Sequence, residues 1–295
     1  MQINQGCISH IGRRKNQQDA YGFSDFEDAS FIAHGGVLAV VCDGMGGLEK
    51  GEEASRLAVK IMLDCYMTKP VEESVSAALD KAILMANREV IQLGMQTGND
   101  GNVGTTLAAA VVYKDELFWR TTGDSRIYLH RGDKLTQLST DHTYAQELAQ
   151  TQEANEMTLE EMANHPDGNA LVNYLGVGEN IEFDQNKQQV KLQSDDVLLV
   201  CSDGIYKALN DAEIIEALGH SDAMKAALGL QHKTLDKQLI NQDNLTAIAL
   251  RLQDEEGKKL HSFFSLHSKV PYIVSIAIVL MGYLLFVMVQ SLGPV

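Results

Sequence analysis

An α+β fold, with sheets covered by helices and followed by one membrane-spanning helix, is the architecture this sequence predicts. Three observations predict it. Six runs of four to eight residues are apolar and end in turn signals, as strands do. Two longer stretches repeat apolar residues at helical spacing. A third region, near the C-terminus, is apolar for 20 residues without a charge.

The strand-like runs are Val37–Val41, Thr106–Tyr113, Leu117–Thr121, Ile127–His130, Val197–Cys201 and Leu245–Leu252. Lys114-Asp115 and Arg131-Gly132-Asp133 separate neighbours, as hairpins require. Several of these runs show no polar alternation, so both of their faces need cover. Helices supply it. In Glu52–Tyr66 the apolar set is Ala54, Leu57, Ala58, Ile61, Met62 and Cys65. In Val71–Leu93 the set starts at Val71 and Val75 and continues through Ala78, Leu79, Ala82, Ile83, Ala86 and Val90 to Leu93. Pro70 lies between the two, which predicts a helical hairpin packed on one sheet face.

Composition shifts near residue 253, and no charged residue occurs from Val270 to Val295. Residues 270–289, VPYIVSIAIVLMGYLLFVMV, would span about 30 Å as a helix, the thickness of a bilayer core. A helix buried inside a globular domain is rarely apolar on every face. Lys258, Lys259 and Lys269 precede the span, while residues 290–295 carry no Lys or Arg. The positive-inside rule then puts the large domain in the cytoplasm. The first 30 residues hold no apolar core of a signal peptide. The expected organisation is a soluble domain over 1–252, a polar juxtamembrane linker over 253–269, a transmembrane helix over 270–289 and a short tail over 290–295.

Hydrophobic residues make up 45% of the chain and charged residues 22%, which excludes a mostly disordered protein. With 24 Lys and Arg against 40 Asp and Glu the net charge is −16, which argues against nucleic acid as a partner. Cys7, Cys42, Cys65 and Cys201 are far apart and form no CxxC pair. They are expected to be buried, reduced thiols, and they suggest no zinc site.

The most informative pattern is a near-repeat. Leu38-Ala39-Val40-Val41-Cys42-Asp43-Gly44 resembles Leu198-Leu199-Val200-Cys201-Ser202-Asp203-Gly204, each an apolar strand ending in Asp-Gly. Such an Asp is held rigidly at a sheet rim, and the Gly lets backbone approach a ligand. Asp19, Asp124, Asp141 and Asp243 stand in further polar turns. Strand-end aspartates without clustered His or Cys form an all-oxygen site, which suits Mg²⁺ or Mn²⁺. Arg13 or Arg14 beside such a site suggests phosphate chemistry.

Seven segments then carry a specific resemblance. They are Arg14-Lys15-Asn16-Gln17-Gln18-Asp19-Ala20, Val41-Cys42-Asp43-Gly44-Met45-Gly46-Gly47, Gly104-Thr105-Thr106, Gly123-Asp124-Ser125-Arg126, Thr140-Asp141-His142, Cys201-Ser202-Asp203-Gly204 and Asp243-Asn244-Leu245-Thr246. In content and order the chain resembles the metal-dependent Ser/Thr protein phosphatases of the PP2C (PPM) family, in their compact bacterial form, over about residues 1–252. The resemblance implies a four-layer αββα sandwich: two antiparallel sheets packed together and flanked by helices.

It also implies residue roles. Asp43 matches the aspartate that bridges two metals, and the Gly44 carbonyl matches a ligand of the second. Asp203 and Asp243 match carboxylates on the first. Asp141 matches an aspartate of a weaker third site, and Asp19 an outer-shell acid that holds metal-bound water. Arg14 matches the arginine that grips the substrate phosphate, where its planar fork suits two oxygens. The implied cofactors are two core Mn²⁺ or Mg²⁺ ions and a third. The implied reaction is in-line attack on a phosphoserine or phosphothreonine ester by a hydroxide between the metals. The implied partners are phosphorylated proteins, among them a Ser/Thr kinase and its targets near the membrane.

The chain departs from the family in places. Gln17 and Gln18 stand where many members have Asn and Glu. Met45 replaces the His of animal members, which leaves the general acid unassigned. His142 is expected to pack or to support the site, and residues 143–170, with His165, match the family's flap beside it. Thr105, Thr106, Ser125 and Arg126 are expected to support loops. Two other readings make different demands on the sequence. A catalytically weak binding module would lack metal aspartates, which this chain retains. A narrow regulator acting on anti-sigma-factor antagonists would usually carry a sensor domain, and none is visible.

Overall fold

Alternation along the central strands sets the layers. In β3 (Val37–Asp43), Leu38, Val40 and Cys42 belong to one apolar cluster and Ala39 and Val41 to another; all five are fully buried. The computed structural model describes residues 1–45, 50–98, 103–150 and 165–254. One compact unit runs from Ile3 to Leu252.

Two sheets form its centre. The first has the order β1 (Gln2–His10), β11 (Leu245–Gln253), β10 (Val197–Cys201), β6 (Arg126–Arg131) and β7 (Lys134–Gln137). The second has the order β2 (Asp19–Phe23), β3, β4 (Leu107–Tyr113), β5 (Glu116–Thr122) and β8 (Asp184–Gln185), with β9 (Val190–Lys191) also paired to β5. Pairing is antiparallel, with Val40 opposite Ala109 in the second sheet and Leu199 opposite Ala249 in the first.

Three apolar layers hold four structural layers together. Between the sheets, Val41, Ala110 and Trp119 share a cluster with Ile127, Leu198, Val200 and Ile248. Outside the second sheet, α2 (Gly51–Met67) and α3 (Val75–Thr97) place Ala58, Met62, Leu79 and Ile83 against Leu38, Val40 and Leu107. Outside the first sheet, α5 (Asp203–Tyr206), α6 (Asp211–Leu218) and α7 (Ala223–Asp236) set Ile205, Leu218 and Leu230 against Leu199 and Ala247. Two short helices, α1 (Ala29–Gly35) and α4 (Tyr144–Leu148), complete the elements among the described residues. This is the αββα arrangement that the resemblance implied, and it explains why the central strands are apolar on both faces.

The second helix of the expected hairpin begins later than its periodicity suggested. Val71 is 67% exposed, Glu73 N–H donates to the Pro70 carbonyl in a turn, and Ser74 Oγ accepts from Ala77 N–H to start the helix at Val75. The cysteine expectation also needs correction. All four are free thiols, but only Cys42 and Cys201 are buried, while Cys7 and Cys65 are half-buried. The apolar run 270–289, most of the linker and the tail lie outside the described residues. Among the described residues no helix is long and apolar enough to cross a membrane.

Candidate active site

Asp43 ends β3, and the pairing of β2 with β3 sets Asp19 directly opposite it. The backbone of Asp43 is fixed from three sides. Its N–H donates to Thr106 Oγ1 (2.9 Å), and its carbonyl accepts from Thr105 Oγ1 (2.9 Å) and Thr106 N–H (2.9 Å). Ser125 Oγ in turn bonds Thr106 Oγ1 at 2.6 Å. Gly44 follows, with its N–H on the Gln18 carbonyl (3.0 Å). A Cβ there would lie 2.2 Å from the Gly51 carbonyl oxygen, so only glycine fits.

The first sheet supplies the opposite wall. Asp203 opens α5 directly after β10. Ser202, between them, donates its hydroxyl to Asp19 (2.7 Å) and accepts from Thr246 N–H (3.0 Å), which ties the ends of the two sheets together. Asn244 fastens the N-terminal loop. Its Oδ1 accepts from Gln18 N–H (2.8 Å), and its Nδ2 donates to the carbonyls of Ile11 (2.8 Å) and Asn16 (3.0 Å). Arg14, on that loop, reaches Asp243 Oδ2 at 2.5 Å.

The result is a cavity of about 320 Å³ whose walls include Arg14, Asp43, Gly44, Asp203 and Asp243. Asp19 stands behind it, 5% exposed. The structure therefore gathers six of the seven residues singled out in the sequence. The seventh, Asp141, turns elsewhere. Arg126 grips both of its oxygens (2.6–3.0 Å), and Gln137 Nε2 donates to one of them (3.0 Å). The Arg126 guanidinium also stacks 3.6 Å from the Tyr206 ring centre, in an adjoining cavity of about 310 Å³. With its charge already matched by a two-pronged arginine, Asp141 is not brought to the Asp43 cavity.

Two other residues stand there instead: Asp124, one of the acidic-turn aspartates, to which the resemblance gave no role, and Lys207, which sequence reasoning missed. Asp124, 6% exposed, lines the cavity, and Lys207 Nζ bridges Asp124 Oδ2 (3.3 Å) and Asp203 Oδ2 (2.5 Å). Burial opposes the Lys207 charge, but Asp203 and Asp124 outweigh it and hold its pKa above the ordinary lysine range. A sequence signal existed for Lys207 as well as for Asp124. Asp124 sits in the same Gly/Asp turn chemistry as the others, and Lys207 follows Asp203 by one helical turn.

The electrostatics favour an added cation. Enclosure pushes the Asp43 carboxyl well above the usual range, and Asp19, Asp203, Asp124 and Asp243 push it the same way. Burial likewise raises Asp19 to about 7, against the hydroxyl of Ser202 and with help from Asp203 and Asp243. Asp19 Oδ1 and Asp203 Oδ1 are buried without a hydrogen-bond partner. Among the described residues no three acidic, His or Cys groups close on one point as a preformed cage. The outer carboxylates hold Arg14 and Lys207, whose cationic heads occupy places that divalent ions would compete for. Orphaned carboxylate oxygens, mutual repulsion and an all-oxygen donor set fit Mn²⁺ or Mg²⁺.

Of the expected flap over 143–170, residues 151–164 lie outside the described residues. His142 Nδ1 accepts from Gly123 N–H (3.2 Å), and burial lowers its pKa, so it braces the Gly123 turn as a neutral ring. His165 packs edge-on against Tyr144 at 5.2 Å. Met45 lines the cavity, and its N–H donates to the Gly104 carbonyl.

A family model described as protein phosphatase 2C matches residues 8–248. The Ser/Thr phosphatase stp of Listeria innocua is 34% identical over 184 residues, which cover 61% of this chain and 71% of that one. The structure of PppA from Pseudomonas aeruginosa superposes with a TM-score of 0.68 at 30% identity, covering 85% of this chain and 98% of that one. The catalytic domain of the Ser/Thr phosphatase PstP, solved with two manganese ions, superposes with a TM-score of 0.69 at 26% identity, covering 85% and 99%.

Proposed function

This chain belongs to the protein phosphatase 2C family, and from that premise we propose how its own residues remove phosphate from phosphoserine and phosphothreonine on proteins. The reaction is metal-dependent and uses Mn²⁺ or Mg²⁺. The observation that carries the reading is the meeting of Asp43 from one sheet and Asp203 from the other in a single cavity with Arg14. When bound, the ions supply Lewis acidity toward water and toward the phosphoryl oxygens.

The protein's part is placement. Asp43, the Gly44 carbonyl, Asp203 and Asp243 would hold the two core ions. Thr105 and Thr106 keep Asp43 in register by bonding its backbone and leave its carboxylate free. Asp19, behind Asp43, would accept hydrogen bonds from water on the ions. Asp124 and Asp203 already share one cation, Lys207, and this pair is the better candidate for a third ion; Asp141 is committed to Arg126. Arg14, paired with Asp243 in this structure, would present its planar fork to the substrate phosphate, and Asp243 would serve as an ion ligand.

The test is hydrolysis of a phosphothreonine peptide by the purified chain. Turnover is expected with Mn²⁺ or Mg²⁺ and none in EDTA; full activity in EDTA would sink the metal reading. Arg14→Ala is expected to raise KM about ten-fold while metal binding persists, because it removes a contact made to the bound phosphate before and during reaction. An unchanged KM would show that Arg14 serves only to neutralise Asp243.

The apolar run 270–289 supports a finer reading, a C-terminal anchor that confines the enzyme to membrane-proximal phosphoproteins and an opposing Ser/Thr kinase. Its basis is the sequence alone. The full chain is expected to sediment with membranes and to resist carbonate extraction, and a chain ending at Leu252 to stay soluble and active. Release of the full chain by carbonate would remove the anchor.

A further inference from the structure

A groove of about 740 Å³ lies beside the carboxylate cavity and shares Arg14 and Gln18 with it. Its charge is opposite to that of the chain as a whole. Arg13, Arg14, Lys15, Lys50 and Arg56 line it, against two acids, Glu52 and Glu53, in a protein of net charge −16. The acids are already matched, Glu52 by Arg56 and Glu53 by Lys50, each at 2.8 Å. Arg14 is matched by Asp243. The side chains of Arg13 and Lys15 are exposed and have no ion pair or hydrogen bond among the described residues.

These two uncompensated cations do not sit on a loose loop. Arg13 N–H donates to the Gln242 carbonyl (2.9 Å), and the carbonyls of Ile11 and Asn16 are held by Asn244. Their backbone is therefore fixed relative to Arg14, which stands between them in sequence. A substrate chain with its phosphate at Arg14 and an extended backbone advances about 3.3 Å per residue. Side chains one to three residues from the phosphorylated one would then come over the groove.

We infer that this groove is a subsite for a second anionic group, carboxylate or phosphate, on the substrate within about three residues of the phosphoserine or phosphothreonine being cleaved. The inference rests on the phosphatase reading above. It gives the enzyme a substrate class: acidic or multiply phosphorylated segments. Exposed charge contacts are individually weak and are screened by salt. Two together should change kcat/KM about five-fold, mostly through KM.

The test uses the full chain with Mn²⁺ and three sets of phosphothreonine peptides. The flanking residues are Ala in one set, Glu in the second and a second phosphothreonine in the third, each placed on one side or the other of the phosphothreonine. The expected result is kcat/KM about five-fold higher for the Glu or doubly phosphorylated peptides at low salt, shrinking toward parity in about 0.5 M salt. In Arg13→Glu/Lys15→Glu the ratio should fall below one, with thermal melting confirming that the variant is folded. A preference only for the second phosphate would identify phosphate as the ligand, and a preference for both would identify negative charge. Equal kcat/KM for all peptides in the wild-type chain, or a ratio that the double variant leaves unchanged, would overturn the subsite. No turnover on any peptide would overturn the phosphatase reading and the subsite with it.

Discussion

Asp43→Asn is expected to lower turnover by about a thousand-fold or more and to remove high-affinity Mn²⁺ binding, while leaving the fold intact. Losing one principal electrostatic stabiliser of a transition state costs on that order, and Asp43 is among the residues proposed to hold the core ions. The fold should survive because Asp43 is tied in place through its backbone: its N–H donates to Thr106 Oγ1, and its carbonyl accepts from Thr105 Oγ1 and Thr106 N–H. Asparagine keeps all three. Single-turnover kinetics with a phosphothreonine peptide, with calorimetric metal titration alongside, would measure the loss. A variant that still bound two ions and turned over at one tenth of the wild-type rate would remove Asp43 from the metal ligands.

Adding Mn²⁺ to metal-free protein is expected to raise its melting temperature by roughly 5–10 °C. Binding at about 100 times the dissociation constant adds about 2.7 kcal/mol, and a domain of this size shifts by a few degrees per kcal/mol. The physical source is local. Without metal, burial and then the neighbouring carboxylates raise the cost of ionising Asp19 and Asp43, and Asp19 Oδ1 and Asp203 Oδ1 have no partner. Ions relieve both penalties. The Asp43→Asn variant is expected to respond with the opposite sign. Metal-free Asp43→Asn should melt at or above metal-free wild type, since one repelling charge is gone, and Mn²⁺ should shift it little. Melting curves of both proteins, each with and without 1 mM Mn²⁺, test this at ~100-fold excess over binding. An equal Mn²⁺ shift in both would mean that the stabilising ions bind somewhere else.

Local pattern determined the central strands and the helices that cover them. Val197–Cys201 is apolar at every position, and it is buried at every position between α5–α7 and the other sheet. The Asp-Gly pair after β3 and its counterpart after β10 were likewise visible, because a strand end and a glycine are encoded within seven consecutive residues. Polar edge elements were not. β1 reads QINQGCISH and is a strand because β11 pairs with it, and no apolar period of its own marks it. Nor could periodicity show where α3 starts, since Val71 fits the helical spacing while Ser74 caps the helix three residues later.

The aspartates of the site could be named from sequence, but their partners could not. Arg14 and Asp243 are 229 positions apart and meet at 2.5 Å only because Asn244 pins the N-terminal loop against β11. Asp141 and Asp124 look equivalent as acidic turn residues. Tertiary packing separates them, giving one to Arg126 and Tyr206 and the other to Lys207 and Asp203. A carboxylate's role depends on which charge stands opposite it across a few ångströms, and that distance is fixed by sheet pairing and helix packing between segments remote in the chain. The residue types and their order along the chain were the sequence's to decide; which acids face one cavity was decided by the closing of one sheet on the other.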